Sequence, residues 1–161
     1  MRPAAPLVVE LVRTPTDDVR ALVHELETEL AAEYSPEQRH GLKLEAIFAP
    51  HVRFFIARLQ GEAIGCGGVA LFADFAEVKR MYVRAAFRGR GGAQALLARI
   101  EAETLAAGLR TLRLETGDRQ AAALRVYETA GFHPCGAFGD YVALEPAAIS
   151  TSLFFEKQLS A

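Results

Sequence analysis

An α/β domain with a mixed sheet is the fold class predicted here, in the order β-α-α-β-β-β-α-β-α-β-β. Three observations predict it. Val52–Leu59 and Ala63–Phe72 are apolar runs flanking Gln60-Gly61-Glu62, a hairpin signal. Glu77–Val83, rich in β-branched and aromatic residues, leads through Phe87-Arg88-Gly89-Arg90-Gly91-Gly92-Ala93-Gln94 into a helical stripe of Ala93, Leu96, Leu97 and Ile100. Leu112–Thr116 reads as a short buried strand, and a second helical stripe follows it: Ala123, Val126, Tyr127 and Ala130. Strand and helix patterns alternate through all 161 residues without repeats or a linker, so residues 1–161 read as a single domain.

The remaining elements follow in order. Leu7–Val12 is the first strand. Thr14-Pro15-Thr16-Asp17-Asp18 places hydroxyl caps and then acids at a helix start, and Val19, Leu22, Val23, Leu26 and Leu30 line one face as far as Tyr34. Ser35-Pro36-Glu37 opens a second, shorter helix towards Ile47, which Ala49-Pro50-His51 breaks. Phe132–Ala137 and Ser152–Gln158 are the last two strands, joined by a long connection over Phe138–Thr151.

The glycine-rich turn carries the chemistry. A strand that feeds glycines into a helix start directs free backbone N–H groups and the positive end of a helix dipole at one point, an anion site suited to phosphate. Arg88 and Arg90 add positive charge. A nucleotide-hydrolase phosphate loop needs Gly-Lys-Ser/Thr, and Gly91-Gly92-Ala93-Gln94 has neither lysine nor hydroxyl. A dinucleotide fingerprint needs glycine or alanine where Gln94 stands, and its first glycine tight against the strand.

A third pattern fits. Arg88, Gly91 and Ala93 match Arg-x-x-Gly-x-Gly/Ala, and Ala123, Tyr127, Gly131 and Phe132 match Asn-x-x-Ala-x-x-x-Tyr-x-x-x-Gly-Phe, with Gln120 in place of Asn. Two motifs in this order and separation resemble the GCN5-related N-acetyltransferase (GNAT) family over roughly Val52 to Phe132. The resemblance implies the acyl-CoA N-acyltransferase fold, a mostly antiparallel mixed sheet with flanking helices. It also implies acetyl-coenzyme A as cofactor and acetyl transfer to the amine of a small molecule, amino acid or peptide. A different class of function on the same fold is a non-catalytic module that senses coenzyme A or its acetyl form.

The same resemblance assigns residues. The turn Arg88, Gly89, Arg90, Gly91, Gly92 and Ala93 would anchor the pyrophosphate. The strand end Met81-Tyr82-Val83 would splay from its neighbour, so that backbone groups bind the pantetheine arm and polarise the thioester carbonyl; an ordinary central strand is the alternative. Gln120 and Ala123 would line the cofactor. Tyr127, with an ordinary pKa near ~10, can protonate a departing thiolate, although its stripe also suits a tyrosine packed on the sheet. Phe75-Ala76-Glu77-Val78 resembles the stretch that holds the catalytic glutamate of the histone-type branch, which points to Glu77 as base. Period two also puts Glu77, Lys79 and Met81 on one face, where Glu77 and Lys79 form a plain ladder pair. Tyr34, Asp140 and Tyr141 are candidate acceptor contacts, with surface or packing roles as alternatives.

Composition bounds the rest. The chain is 51% hydrophobic and 24% charged, as ordinary globular domains are. A net charge of −2 argues against a broad nucleic-acid surface. Arg-Gly-Arg-Gly-Gly occurs once and lies within a strand–turn–helix pattern. Cys66 and Cys135 lack zinc spacing, and His24, His40, His51 and His133 show no ligand or triad spacing, so no metal site is expected. No apolar run approaches membrane-spanning length and no signal segment is evident, which makes the cytoplasm the expected location. Open sheet edges would permit a homodimer.

Overall fold

The computed structural model describes residues 6–160. Seven strands form one sheet in the order β1-β2-β3-β4-β5-β7-β6: β1 (Leu7–Val12), β2 (Val52–Leu59), β3 (Glu62–Leu71), β4 (Ala76–Val83), β5 (Thr111–Gly117), β6 (His133–Pro134) and β7 (Ser152–Gln158). Every neighbouring pair is antiparallel except β4 and β5. That parallel pair is joined by the long crossover that a parallel connection requires, helix α2 (Gly92–Ala106). Helices α1 (Asp17–Glu33), α3 (Ala121–Thr129) and α4 (Pro146–Ile149) complete the regular elements.

The sheet separates two apolar clusters. One face packs Val19, Leu22, Val23 and Leu26 of α1 against Phe54, Ile56, Cys66 and Tyr82. The other packs Leu96, Leu97 and Ile100 of α2, with Tyr127 of α3, against Phe55, Ile64, Val78, Leu112 and Leu114. Helix α1 starts where the sequence places its cap: the Thr16 hydroxyl accepts from the Val19 N–H at 3.4 Å, and Asp17 and Asp18 occupy the first turn.

Three segments depart from expectation. The second helix does not form. Single 3₁₀ turns at Pro36–Gln38 and Ala46–Phe48 stand at either end of an irregular stretch. Leu42 and Leu44 recur at a spacing of two, and the Leu42 carbonyl is engaged by Arg80 Nε at 2.9 Å rather than by a helical N–H. The strand over Phe132–Ala137 shrinks to His133–Pro134, since Pro134 has no N–H to give the ladder. The long connection carries a 3₁₀ turn at Gly139–Ala143 and the one-turn helix α4.

The third departure lies inside β4. Cys66 pairs with Tyr82 but Gly68 pairs with Lys79, so β4 holds one extra residue there. Arg80 takes the strain, with φ +56°. The bulge reverses the alternation, so Met81 does not share a face with Glu77 and Lys79. Met81 packs with the α2 cluster and Tyr82 with the α1 cluster.

Candidate active site

Strands β4 and β5 touch at only two positions, Ala76 opposite Leu112 and Glu77 opposite Arg113, and then diverge. The gap exposes one edge of β4. Arg84 N–H donates to the Ile64 carbonyl across β3 at 2.8 Å, so the preceding residue, Val83, turns its N–H and C=O towards the gap. Period two carries Met81 to the same side.

The glycine turn stands at the end of this edge. Gly91, the N-cap of α2, has φ +86°, a left-handed geometry that costs an L-residue about 1–2 kcal/mol. Helix α2 therefore begins abruptly, and its first N–H groups face outward without helical partners. Arg88 sits beside them: its Nε donates to the Val83 carbonyl at 3.2 Å, and Nη2 lies 3.5 Å from Glu29. A cleft of about 930 Å³ runs from this turn along β4 to α3. It is lined by Met81, Tyr82, Val83, Arg88, Gly89, Gly91, Gly92 and Ala93 on one side and by Gln120, Ala123 and Tyr127 on the other.

A second, polar pocket of about 100 Å³ opens beyond the cleft. The two share Leu26, Met81, Gln120, Ala123 and Tyr127. Tyr127 therefore stands at the junction. Its ring is buried against Phe132, and its hydroxyl has no protein partner among the described residues, yet it is not sealed from the cavities. Burial pushes its pKa well above the ordinary phenol value, and the charge of Glu115 adds to the rise.

The pocket contains a buried polar network. Glu77 Oε2 accepts from Lys79 Nζ at 3.0 Å and from the Tyr141 hydroxyl at 2.6 Å. Lys79 Nζ also reaches the Tyr141 hydroxyl at 3.1 Å and the His40 carbonyl at 3.4 Å. Tyr141 is fixed edge-on against Phe138 and Phe154, with centroids 5.3 Å away in each case. His40 Nε2 lies 2.7 Å from the Ala148 carbonyl and ties the Pro36–Gly41 segment to α4. Across the gap, Glu115 of β5 accepts from Ser152 Oγ at 2.6 Å, and burial pushes its pKa up.

The chain matches the Acetyltransferase (GNAT) family over residues 19–132. It belongs to that family. The chain is also 41% identical to the IAA acetyltransferase of Azospirillum brasilense over 145 residues, which is 89% of this chain and 92% of that one. A Klebsiella pneumoniae structure assigned as an acyl-CoA N-acyltransferase superposes with a TM-score of 0.75 at 31% identity, covering 96% of this chain and 98% of its own. The PaiA N-acetyltransferase of Thermoplasma acidophilum, solved with coenzyme A, superposes with a TM-score of 0.66 at 17% identity, covering 94% and 99%.

Within this GNAT chain, the structure brings most of the sequence-selected residues together. Arg90 is exposed and lies outside the cleft lining, the one turn residue that does. Tyr34 borders the inner pocket, but its hydroxyl accepts the Arg119 N–H at 2.7 Å and so anchors the loop ahead of α3. Tyr141 lines the pocket, whereas its neighbour Asp140 is exposed and outside it. Glu115, His40 and Arg39 are pocket residues that sequence reasoning passed over. For Glu115 a signal existed: an acid alternating with Leu114 and Thr116 in a buried strand must face something polar. No cluster of three or more His, Cys, Asp or Glu suited to a metal occurs among the described residues, and no described helix is long and apolar enough to cross a membrane.

Proposed function

We propose that this acetyltransferase moves an acetyl group from acetyl-coenzyme A to the amine of a small acceptor. The observation that carries the reading is the continuous path from the glycine turn, along the open edge of β4, to the Tyr127 hydroxyl and into the polar pocket. The residues suit the cofactor. The turn offers unpaired N–H groups and Arg88 for a pyrophosphate, and Met81 and Val83 offer an open strand edge, where Arg88 Nε holds the Val83 carbonyl, for an amide-bearing arm. The coenzyme A of the PaiA structure supports the same choice.

When bound, acetyl-coenzyme A supplies an acyl carbon and a thiolate leaving group. Tyr127 stays protonated across the physiological range, because burial opposes its ionisation, and so holds a proton for the departing sulfur. Backbone N–H groups of β4 beyond the bulge stand where they can polarise a carbonyl without reorganising. Two carboxylates compete for the amine proton. Glu77 already accepts from Lys79 and Tyr141 through one oxygen, which makes it a positioning residue for that wall. Glu115 has one hydrogen-bond partner among the described residues, Ser152, and a raised proton affinity, which suits it to accept the amine proton directly or through water.

Thiol release from acetyl-coenzyme A, measured over a panel of amines, amino acids and peptides alongside calorimetric cofactor binding, tests the reading. Turnover on one acceptor class supports it. Tight binding with no turnover on any acceptor would instead make the chain a coenzyme A sensor, and no binding would remove the cofactor assignment.

A further inference from the structure

Two guanidinium groups line the inner pocket, Arg39 of the Pro36–Gly41 segment and Arg80 of β4. One carboxylate, Glu27, serves both: it pairs with Arg80 Nη2 and lies 3.6 Å from Arg39 Nη1. Arg80 is buried and further engaged by the Leu42 carbonyl. Arg39 is less well provided for. Its Nε is the one buried side-chain polar atom without a hydrogen-bond partner among the described residues. Nε is enclosed, so the donors open to a ligand in the pocket are those of the guanidinium head, whose ion pair among the described residues is the long contact to Glu27. The sheet side of the same pocket presents the opposite charge, Glu115, whereas the charges of Lys79 and Glu77 answer each other.

We infer that the acceptor is a small zwitterionic aminocarboxylate, a free amino acid or close relative, with its amine towards Glu115 and Tyr127 and its carboxylate on Arg39. The inference rests on the acetyltransferase reading and narrows its acceptor. The volume agrees: about 100 Å³ holds several water-sized groups and is well below the roughly 300–1,000 Å³ of pockets for drug-sized ligands. Arg39 is then a specificity residue and takes no part in the chemistry.

The test compares kcat/KM for the standard L-amino acids, their carboxamides and the corresponding decarboxylated amines, in the wild type, Arg39→Gln and Arg39→Lys. Coenzyme A binding by calorimetry on each variant establishes that it is folded. The acid should be preferred over its carboxamide by about tenfold or more, mostly in KM, as loss of a charge-assisted contact implies. Arg39→Gln should collapse that ratio towards one, and Arg39→Lys should restore part of it. Preference for carboxamides or simple amines, or an unchanged ratio in Arg39→Gln, would overturn the inference and leave the acetyltransferase intact. Cofactor binding without turnover of any acceptor would overturn both.

Discussion

Tyr127 of α3 and Glu115 of β5 line the same inner pocket, and their environments set opposite tasks. The phenol is kept protonated and the carboxylate is made more basic, both chiefly by burial. Tyr127→Phe should lower kcat by about 10²-fold or more while coenzyme A affinity, read by calorimetry, changes little; equal turnover would remove the hydroxyl from the chemistry. For Glu115→Gln the informative readout is pH. In the wild type the acid limb of kcat/KM should lie above the usual carboxylate range, because the folded protein binds that proton more tightly than water does, and the limb should vanish in the variant. The same shift has a sign in stability. A raised carboxyl pKa contributes stability at low pH, and that contribution is lost as pH rises through the folded value. Glu115→Gln should therefore gain stability relative to wild type on going from acid to neutral pH, as urea unfolding at two pH values would show. Tyr127 was legible from motif spacing alone. Glu115 was not, because its partner Ser152 lies on another strand and its exposure to the pocket depends on where β5 leaves β4.

At the scale of elements, the strand–turn–helix unit was readable because its signals are local: a β-branched run, glycines and an apolar stripe. The stretch after Tyr34 was not. Its shape follows from Arg80, a residue on a distant strand that takes the Leu42 carbonyl, and no periodicity in Ser35–Ile47 announces that contact. Another long-range contact can be tested. A Cβ at Gly117, the end of β5, would run into the phenol oxygen of Tyr34, which also accepts the Arg119 N–H. Gly117→Ala should cost about 1–3 kcal/mol in equilibrium urea unfolding, the range for overpacking a tight site. An unchanged midpoint would show that α1 and the loop ahead of α3 do not meet this closely.

The whole molecule is a sheet nearly divided in two, with β1–β4 on one side and β5, β7 and β6 on the other, joined by two residue pairs and by the apolar cluster beneath α2 and α3. A ligand that lies in the gap and touches both α2 and α3 links the halves. At coenzyme A concentrations near 100 Kd, linkage adds about 2.7 kcal/mol to stability. For a chain of this size that is a rise in Tm of about 5–10 °C by thermal scanning. Amide exchange should slow most along Met81–Val83. A rise in Tm without protection there would place the ligand elsewhere. The order of elements along the chain, apart from the second helix, and the mixed sheet were readable from the alternation of elements. The depth of the split was not, since it is set by how far two strands stay paired.

The bulge at Arg80 divides β4 into two independent segments. Residues before it, Glu77 and Lys79, line the polar pocket, and residues after it, Met81 and Val83, border the cleft with their polarity reversed. Substitutions in the pocket-lining segment can thus accumulate without turning the faces of the cleft-lining one. The bulge serves Arg80 itself: deleting that residue would close the bulge with Met81 opposite Gly67 and keep the faces of Met81, Tyr82 and Val83, but it would take away the guanidinium that holds Glu27 and the Leu42 carbonyl. The extra residue thus ties α1 and the Leu42 segment to β4 and does not decide which faces follow it.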